Sequence, residues 1–159
     1  MSAVFLEVRK HLPFAPADLH ALVTDVRRYP EFIPWVKSLS LRMDDEGPEG
    51  WGGVASALVG WRAFTERFET RVVSRPKAGT VAVRLVTGPF KVLENDWEFL
   101  PGPNGVGTAL RISIRYQFKN PILPAVAAAN RELAANRIMA AFIAEAHRRY
   151  PVQKASGPA

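Results

Sequence analysis

Polar and apolar positions alternate most cleanly between residues 93 and 99. Leu93, Asn95, Trp97 and Phe99 share one parity, and Glu94, Asp96 and Glu98 share the other. That period of two predicts a strand with one dry and one wet face. A second run repeats the pattern, with Leu110, Ile112, Ile114, Tyr116 and Phe118 against Arg111, Ser113, Arg115 and Gln117. Val4 to Leu12 reads as an opening strand, ended by Pro13 and Pro16. Ala17 to Val26 then carries Leu19, Leu22, Val23 and Val26 along one side of a short helix. Between Val36 and Tyr116 five or six extended segments are predicted. The turn signals between them are Asp44-Asp45-Glu46-Gly47-Pro48, Arg75-Pro76-Lys77-Ala78-Gly79, Gly88-Pro89 and Pro101-Gly102-Pro103-Asn104-Gly105.

After Asn120-Pro121 the apolar period changes from two to between three and four. Asn120 suits an N-cap and Pro121 the first helical position, so a long helix is predicted from Ile122 to about Tyr150. At 1.5 Å per residue it runs roughly 40 Å, enough to cross a sheet. Ile122, Val126, Ala129, Leu133, Asn136, Ala140 and Ile143 form its apolar stripe. Strand, short helices, a run of antiparallel strands and one long helix predict an α+β, helix-grip architecture, a curved sheet wrapped around the C-terminal helix. Alanines along the stripe leave room for a deep apolar cavity, and the alternative is a core filled by side chains. The aromatic, proline-punctuated stretch Tyr29-Pro30-Glu31-Phe32-Ile33-Pro34-Trp35 reads as a rim or lid over its mouth.

With 159 residues, 48% of them hydrophobic, the chain is large enough for one domain with a substantial core. Residues 1–150 are read as that domain and 151–159 as a flexible tail. The absence of cysteine excludes disulfide and thiolate chemistry. Glu7, Arg9 and Lys10 fall too early for a signal-peptide core, and no apolar run approaches the roughly 20 residues of a bilayer span. The expectation is a soluble, cytoplasmic protein, peripheral at most to the inner face of a respiratory membrane. The net charge of +6 is uneven: residues 1–80 carry 11 basic and 10 acidic groups, residues 81–159 carry 10 and 5. That excess suits an anionic membrane or a ribonucleoprotein, and a plain solvated surface is the alternative.

Candidate chemistry is sparse. His11, His20 and His147 stand in no metal-ligand spacing, so no metal site is predicted. Trp51-Gly52-Gly53 precedes a strand and not a helix, so it is no phosphate loop. Glu66 lies in phase with Phe64 and Phe68, and an inward carboxylate there pairs with Arg62 or acts as a base. No catalytic set is assigned.

An ordered set of motifs carries a family resemblance over roughly residues 3–150. It comprises Asp25 with Tyr29-Pro30, Phe32, Pro34 and Trp35; Phe64 to Phe68 with Thr70-Arg71-Val72; Gly88-Pro89-Phe90 with Leu93, Trp97 and Phe99; Tyr116-Gln117-Phe118; and Ala141-Phe142 to Ala146. With it the chain resembles the coenzyme-Q-binding START-domain proteins, of the polyketide cyclase/dehydrase-like superfamily and related to the ribosome-association toxin family. The resemblance implies a START-like tunnel that carries ubiquinone or a similar polyprenyl quinone for respiration and quinone synthesis, without a cofactor and without turnover. It implies a mouth of Tyr29, Phe32, Pro34 and Trp35, a sheet-side lining of Phe64, Phe68, Phe90, Leu93 and Trp97, and Val126, Leu133 and Ala140 opposite. Asn95 stands where the family pattern expects Gly, and is assigned as a headgroup donor. Two other functions remain open: a ribosome-associating regulator contacting its partner through Arg84, Arg111 and Arg115, and a polyketide cyclase or aromatase.

Overall fold

The computed structural model describes residues 3–61, 64–119 and 131–154, with the side chains of 61, 64 and 131–136 outside that description. Seven strands form one antiparallel sheet: β1 (Val4–Leu12), β2 (Val36–Gly47), β3 (Gly50–Trp61), β4 (Phe64–Arg75), β5 (Thr80–Thr87), β6 (Phe90–Pro101) and β7 (Thr108–Phe118). Their order is β1-β7-β6-β5-β4-β3-β2, so the first two strands are the two edges. The stretch expected to hold five or six strands holds six. Register shifts at Val36/Ser38, Met43/Asp45, Glu69/Thr70 and Phe90/Val92 mark bulges, which bend the sheet.

Between the edge strands run α1 (Pro16–Thr24), a 3₁₀ turn (Val26–Arg28) and α2 (Tyr29–Phe32). Pro16 opens α1 because a first-turn residue needs no amide proton, and the preceding Ala15 offers no side-chain cap. Buried His20 pins α1 to the sheet, its Nε2 donating to Thr80 O at 3.0 Å. Thr108 Oγ1 donates to Phe14 O at 2.7 Å and ties the chain after β1 to the start of β7.

The C-terminal helix, α3 (Arg131–Arg149), closes the inner face. Its predicted start at Asn120 and Pro121, with Ile122, Val126 and Ala129, lies outside the described residues. The predicted stripe is out of phase by one position. Met139, Phe142 and Ala146 are buried, with Ile143 and Tyr150 packed beside them, whereas Ala140 is exposed. Residues 138–143 are apolar on every side, so periodicity does not fix the facing. Met and Phe bring more apolar area than Ala, and burying them decides it.

The strands end in two clusters. At the β6–β7 end lie the β2–β3, β4–β5 and β6–β7 turns; at the β5–β6 end lie the β5–β6 turn, the starts of β1 and β2 and the end of β7. Of the expected loose tail, residues 151–154 are described, and Gln153 ties them to the β6–β7 end. Its amide donates to Pro13 O at 2.7 Å and its Oε1 accepts from Gly107 N at 2.8 Å.

Candidate functional site

Burial along the inner face changes from one end of the sheet to the other. On β6, Trp97 and Phe99 are buried while Phe90, Leu93 and Asn95 are half-buried. On β7, Leu110 is buried and Ile112, Ile114, Tyr116 and Phe118 are half-buried. The same step separates Val81 from Val83 and Leu85 on β5, and Thr70 and Val72 from Phe68 on β4. The inner face is therefore sealed at the β6–β7 end and less covered towards the β5–β6 end.

The sealed half is a core and not a cavity. A void of about 10 Å³ remains there, lined by Leu12, Leu22, Trp97, Phe99, Met139 and Phe142 among others. That is the threshold for one water, and an apolar lining offers it no partner. The deep cavity expected against this part of the helix is replaced by side chains. Trp97, expected as tunnel lining, stacks on Phe99 (6.1 Å between centroids, 10° between planes) and meets the edge of Phe142 at 5.4 Å.

Asn95 is likewise engaged within the protein. Its Nδ2 donates to Ser113 O at 3.0 Å, and its Oδ1 accepts from Trp97 Nε1 at 2.7 Å. The expected headgroup donor thus serves first to hold the indole and to bridge β6 to β7.

Tyr29 and Phe32 do not stand over an opening. Both rings meet Phe142, at 5.4 and 5.5 Å, and each other at 5.7 Å. The Tyr29 hydroxyl donates to Val23 O. Burial, with a smaller effect of the Asp25 charge, pushes the phenol pKa above its ordinary value. This segment is a packed element because α2 turns Tyr29, Phe32 and Ile33 towards the helix; Pro34 alone of the four expected mouth residues is exposed. Trp35 is half-buried, and its carbonyl accepts from Gly60 N at 2.8 Å.

An ion cluster beneath Tyr29 joins this segment to the end of α3. Arg149 donates to Asp25 Oδ2 and Glu145 Oε2, both at 2.9 Å, and lies 5.5 Å from the Phe32 ring centroid. Glu145 is only 3% exposed and also accepts from Arg148 at 2.9 Å. Burial disfavours the Arg149 charge, but the hydrogen bonds to Glu145 and Asp25 outweigh it and hold its pKa above the ordinary value. Asp25 and the segment Ala141 to Ala146, which contains Glu145, belong to the motif set, but the sequence assigns neither Glu145 nor Arg149 to the site, since an acid four residues before an arginine on a helix reads as an exposed pair.

At the less covered end, Phe90 stacks on Phe118 (4.8 Å, 26°), Phe68 meets Phe90 edge-on at 5.9 Å, and Tyr116 meets Phe118 at 5.7 Å. Gly88, at φ 154°, permits this approach, because a Cβ there would lie 2.5 Å from Phe68 Cβ. Phe68, Phe90 and Leu93 are thus brought together on the inner face, with Tyr116 and Phe118, which sequence reasoning placed on that face without assigning them to the site. Glu66 has their parity and is half-buried. The side chains of Phe64 and Leu133, and Val126 and Arg62 altogether, lie outside the described residues, as does Ala129.

Arg84, Arg111 and Arg115 all lie on the opposite, outer face, and each is paired. Arg84 donates two hydrogen bonds to the Asp96 carboxylate, at 2.9 and 3.2 Å, Arg111 donates to Glu7 Oε1 at 2.5 Å, and Arg115 lies 3.7 Å from Glu94. Among the described residues no group of three or more His, Asp or Glu side chains could hold a metal, and no helix is long and apolar enough to cross a membrane.

A seven-stranded antiparallel sheet that grips a C-terminal helix, with its apolar face turned inward, defines the helix-grip class of folds. Residues 12–143 match the family described as polyketide cyclase / dehydrase and lipid transport, and the chain belongs to that family. A ribosome association toxin, RatA of Rickettsia prowazekii, is 25% identical over 139 residues, which cover 84% of this chain and 89% of that one. The mitochondrial coenzyme Q-binding protein COQ10 of Drosophila melanogaster is 27% identical over 138 residues, 86% of this chain but 55% of that protein. The solution structure of the 18 kDa protein CC1736 from Caulobacter crescentus shares 37% identity and superposes with a TM-score of 0.71, covering 91% of this chain and 97% of that one.

Proposed function

We propose that this protein binds a polyprenylated quinone of the ubiquinone type at the β5–β6 half of its interior and carries it without chemical turnover. The observation that carries the reading is the burial gradient: inward apolar and aromatic residues are sealed at one end of the sheet and half-covered at the other. A ligand that is mostly hydrocarbon needs few polar anchors there. Each buried methylene contributes about 0.8 kcal/mol, so contact area alone can hold an isoprenoid tail. The similarity to a coenzyme Q-binding protein supports the headgroup class.

Two competing readings make different predictions. A polyketide cyclase needs polar groups converging on a reacting carbon, and the inner face offers Glu66 and an Asn95 already bonded to Trp97 and Ser113. A ribosome-associating regulator of the kind named among the relatives would use free cations, and Arg84, Arg111 and Arg115, the arginines assigned to that contact, are paired and would not supply them.

The test is mass spectrometry of the organic extract of protein purified from a quinone-producing host, with titration of prenylated and tailless quinones. Co-purified quinone and an affinity that rises with tail length are expected. No quinone, together with equal weak binding of both analogues, removes the carrier reading.

A further inference from the structure

We infer that the β5–β6 end of the sheet is a docking surface for an anionic lipid bilayer, with the less covered end of the interior facing the membrane. The inference deepens the carrier reading and rests on it for its purpose, but its evidence is separate. Lys37, Arg67, Lys91 and Lys119 are all exposed at this end, and among the described residues none of them has a carboxylate within ion-pair distance. Lys119 is fixed beside the β5–β6 turn by its backbone amide, which donates to Pro89 O at 2.8 Å. Lys37 lays its aliphatic stem across Gly60, where a Cβ would lie 2.9 Å from Lys37 Cε. The acids nearby are the half-buried Glu66 and Glu69.

Exposed cations without a carboxylate in ion-pair distance also stand elsewhere among the described residues: Lys10, Lys77 and Lys154 at the β6–β7 end, and Arg27 and Arg42. On the outer face Arg84, Arg111 and Arg115 are paired, and the β2–β3 hairpin at the far end carries the exposed Asp44, Asp45, Glu46 and Glu49, the first and last of them paired with Arg71 and Arg75. The two ends therefore differ in their acids: at the far end unpaired cations stand among exposed carboxylates, whereas the acids near Lys37, Arg67, Lys91 and Lys119 are half-buried. A membrane-facing end of this kind draws on the attraction of an anionic leaflet for Lys and Arg, which decays within a Debye length.

A bilayer fits better than RNA. Val86 is 52% exposed beside these cations, and Phe5, 61% exposed, lies at the start of β1 on the same end, which suits contact with lipid. Binding of successive bases uses several open aromatic faces, whereas Phe90 and Phe118 are stacked on each other and, among the described residues, Phe5 carries the one exposed Phe, Tyr or Trp ring. An apolar ligand leaving a bilayer would also meet the interior where it is least covered.

The experiment is co-sedimentation with quinone-free vesicles of phosphatidylcholine, alone or with added phosphatidylglycerol, so a failed ligand assignment and a failed docking surface are read separately. Two charge-matched variants are compared with the unmodified protein: Lys91→Gln/Lys119→Gln and Arg84→Gln/Arg111→Gln, each checked by its thermal midpoint. The lysine pair is expected to lower affinity for anionic vesicles about 5-fold per charge, roughly 25-fold in all. The arginine pair is expected to leave it unchanged. Equal losses in both variants, or equal binding of the unmodified protein to neutral and anionic vesicles, would overturn the inference. So would a lysine variant that keeps vesicle binding but loses co-sedimentation with ribosomal subunits, which would assign this end to RNA.

Discussion

Asn95 occupies an inward position on an apolar sheet face, and its amide is retained there because both ends are used. Replacing it leaves Trp97 Nε1 without its acceptor in a buried setting. Asn95→Ala is expected to cost about 1–3 kcal/mol in urea unfolding. Combined with Trp97→Phe it should cost less than the sum of the two, by about 1 kcal/mol or more; strict additivity would mean that the two side chains are not coupled. At the surface the relevant groups are exposed carboxylates. Hydrogen bonds from Arg111, Arg28 and Arg71 hold Glu7, Glu31 and Asp44 below their ordinary pKa values. A carboxyl with a depressed folded pKa favours the folded state while ionised. Its contribution is present above the ordinary carboxylate range and is lost as pH falls through the lowered value. The thermal midpoint is therefore expected to drop between about pH 5 and pH 2, less steeply in Glu7→Gln/Asp44→Asn. Parallel curves for the two proteins would show that these solvent-screened pairs contribute nothing, as many exposed pairs do.

At the scale of an element, the facing of α3 separates substitutions that look alike in sequence. Phe142→Ala removes a ring shared by Tyr29, Phe32 and Trp97 and is expected to cost about 3–5 kcal/mol. Ala140→Lys, two residues away on the exposed side, should stay within about 0.5 kcal/mol. If Ala140→Lys were the damaging change in denaturant unfolding, the helix would face the sheet as its alanine stripe suggested. The end of the same helix is fastened by charge as well as by packing. Arg149→Met leaves the buried Glu145 with only the exposed Arg148, and loses the tie to Asp25. Breaking such a cluster at one member is expected to cost about 3 kcal/mol, the low end of the range because one partner remains. The loss should appear as faster amide exchange in α1 and α2 along with the end of α3, since these are the segments the cluster joins.

Across the whole molecule the two halves of the interior should answer the same substitution in opposite ways. Val81 is 2% exposed in the sealed half, so Val81→Trp forces overpacking and is expected to cost about 1–3 kcal/mol or more. Leu93 is half-buried at the other end, where Leu93→Trp should leave the thermal midpoint nearly unchanged and abolish binding of a prenylated quinone. A collapse of stability in both variants would show that the interior is filled from end to end, and would remove the physical basis of the carrier reading.

Much of the fold is written in local pattern. The pleat forces a period of two, so Leu93, Asn95, Trp97 and Phe99 share a face whatever lies beyond them, and a change of period towards the C-terminal part of the chain announces the helix that is described from Arg131. The number of strands, the short helices after β1 and the inward parity of the aromatic residues follow from such rules. Local pattern does not say which inward residues meet a partner. Trp97 and Leu93 have the same parity on the same strand, yet Met139 and Phe142 cover the ring of one and not the side chain of the other. Nor does it fix the phase of a helix segment that is apolar all round, which is why Ala140 faces solvent. Charge behaves in the same way: Arg111 counts as a free cation in sequence, but Glu7, 104 residues earlier, neutralises it across the β1–β7 ladder. Parity and period are set by backbone geometry within a few residues, whereas closure of a cavity and pairing of a charge depend on neighbours that only the packed sheet and helix bring together.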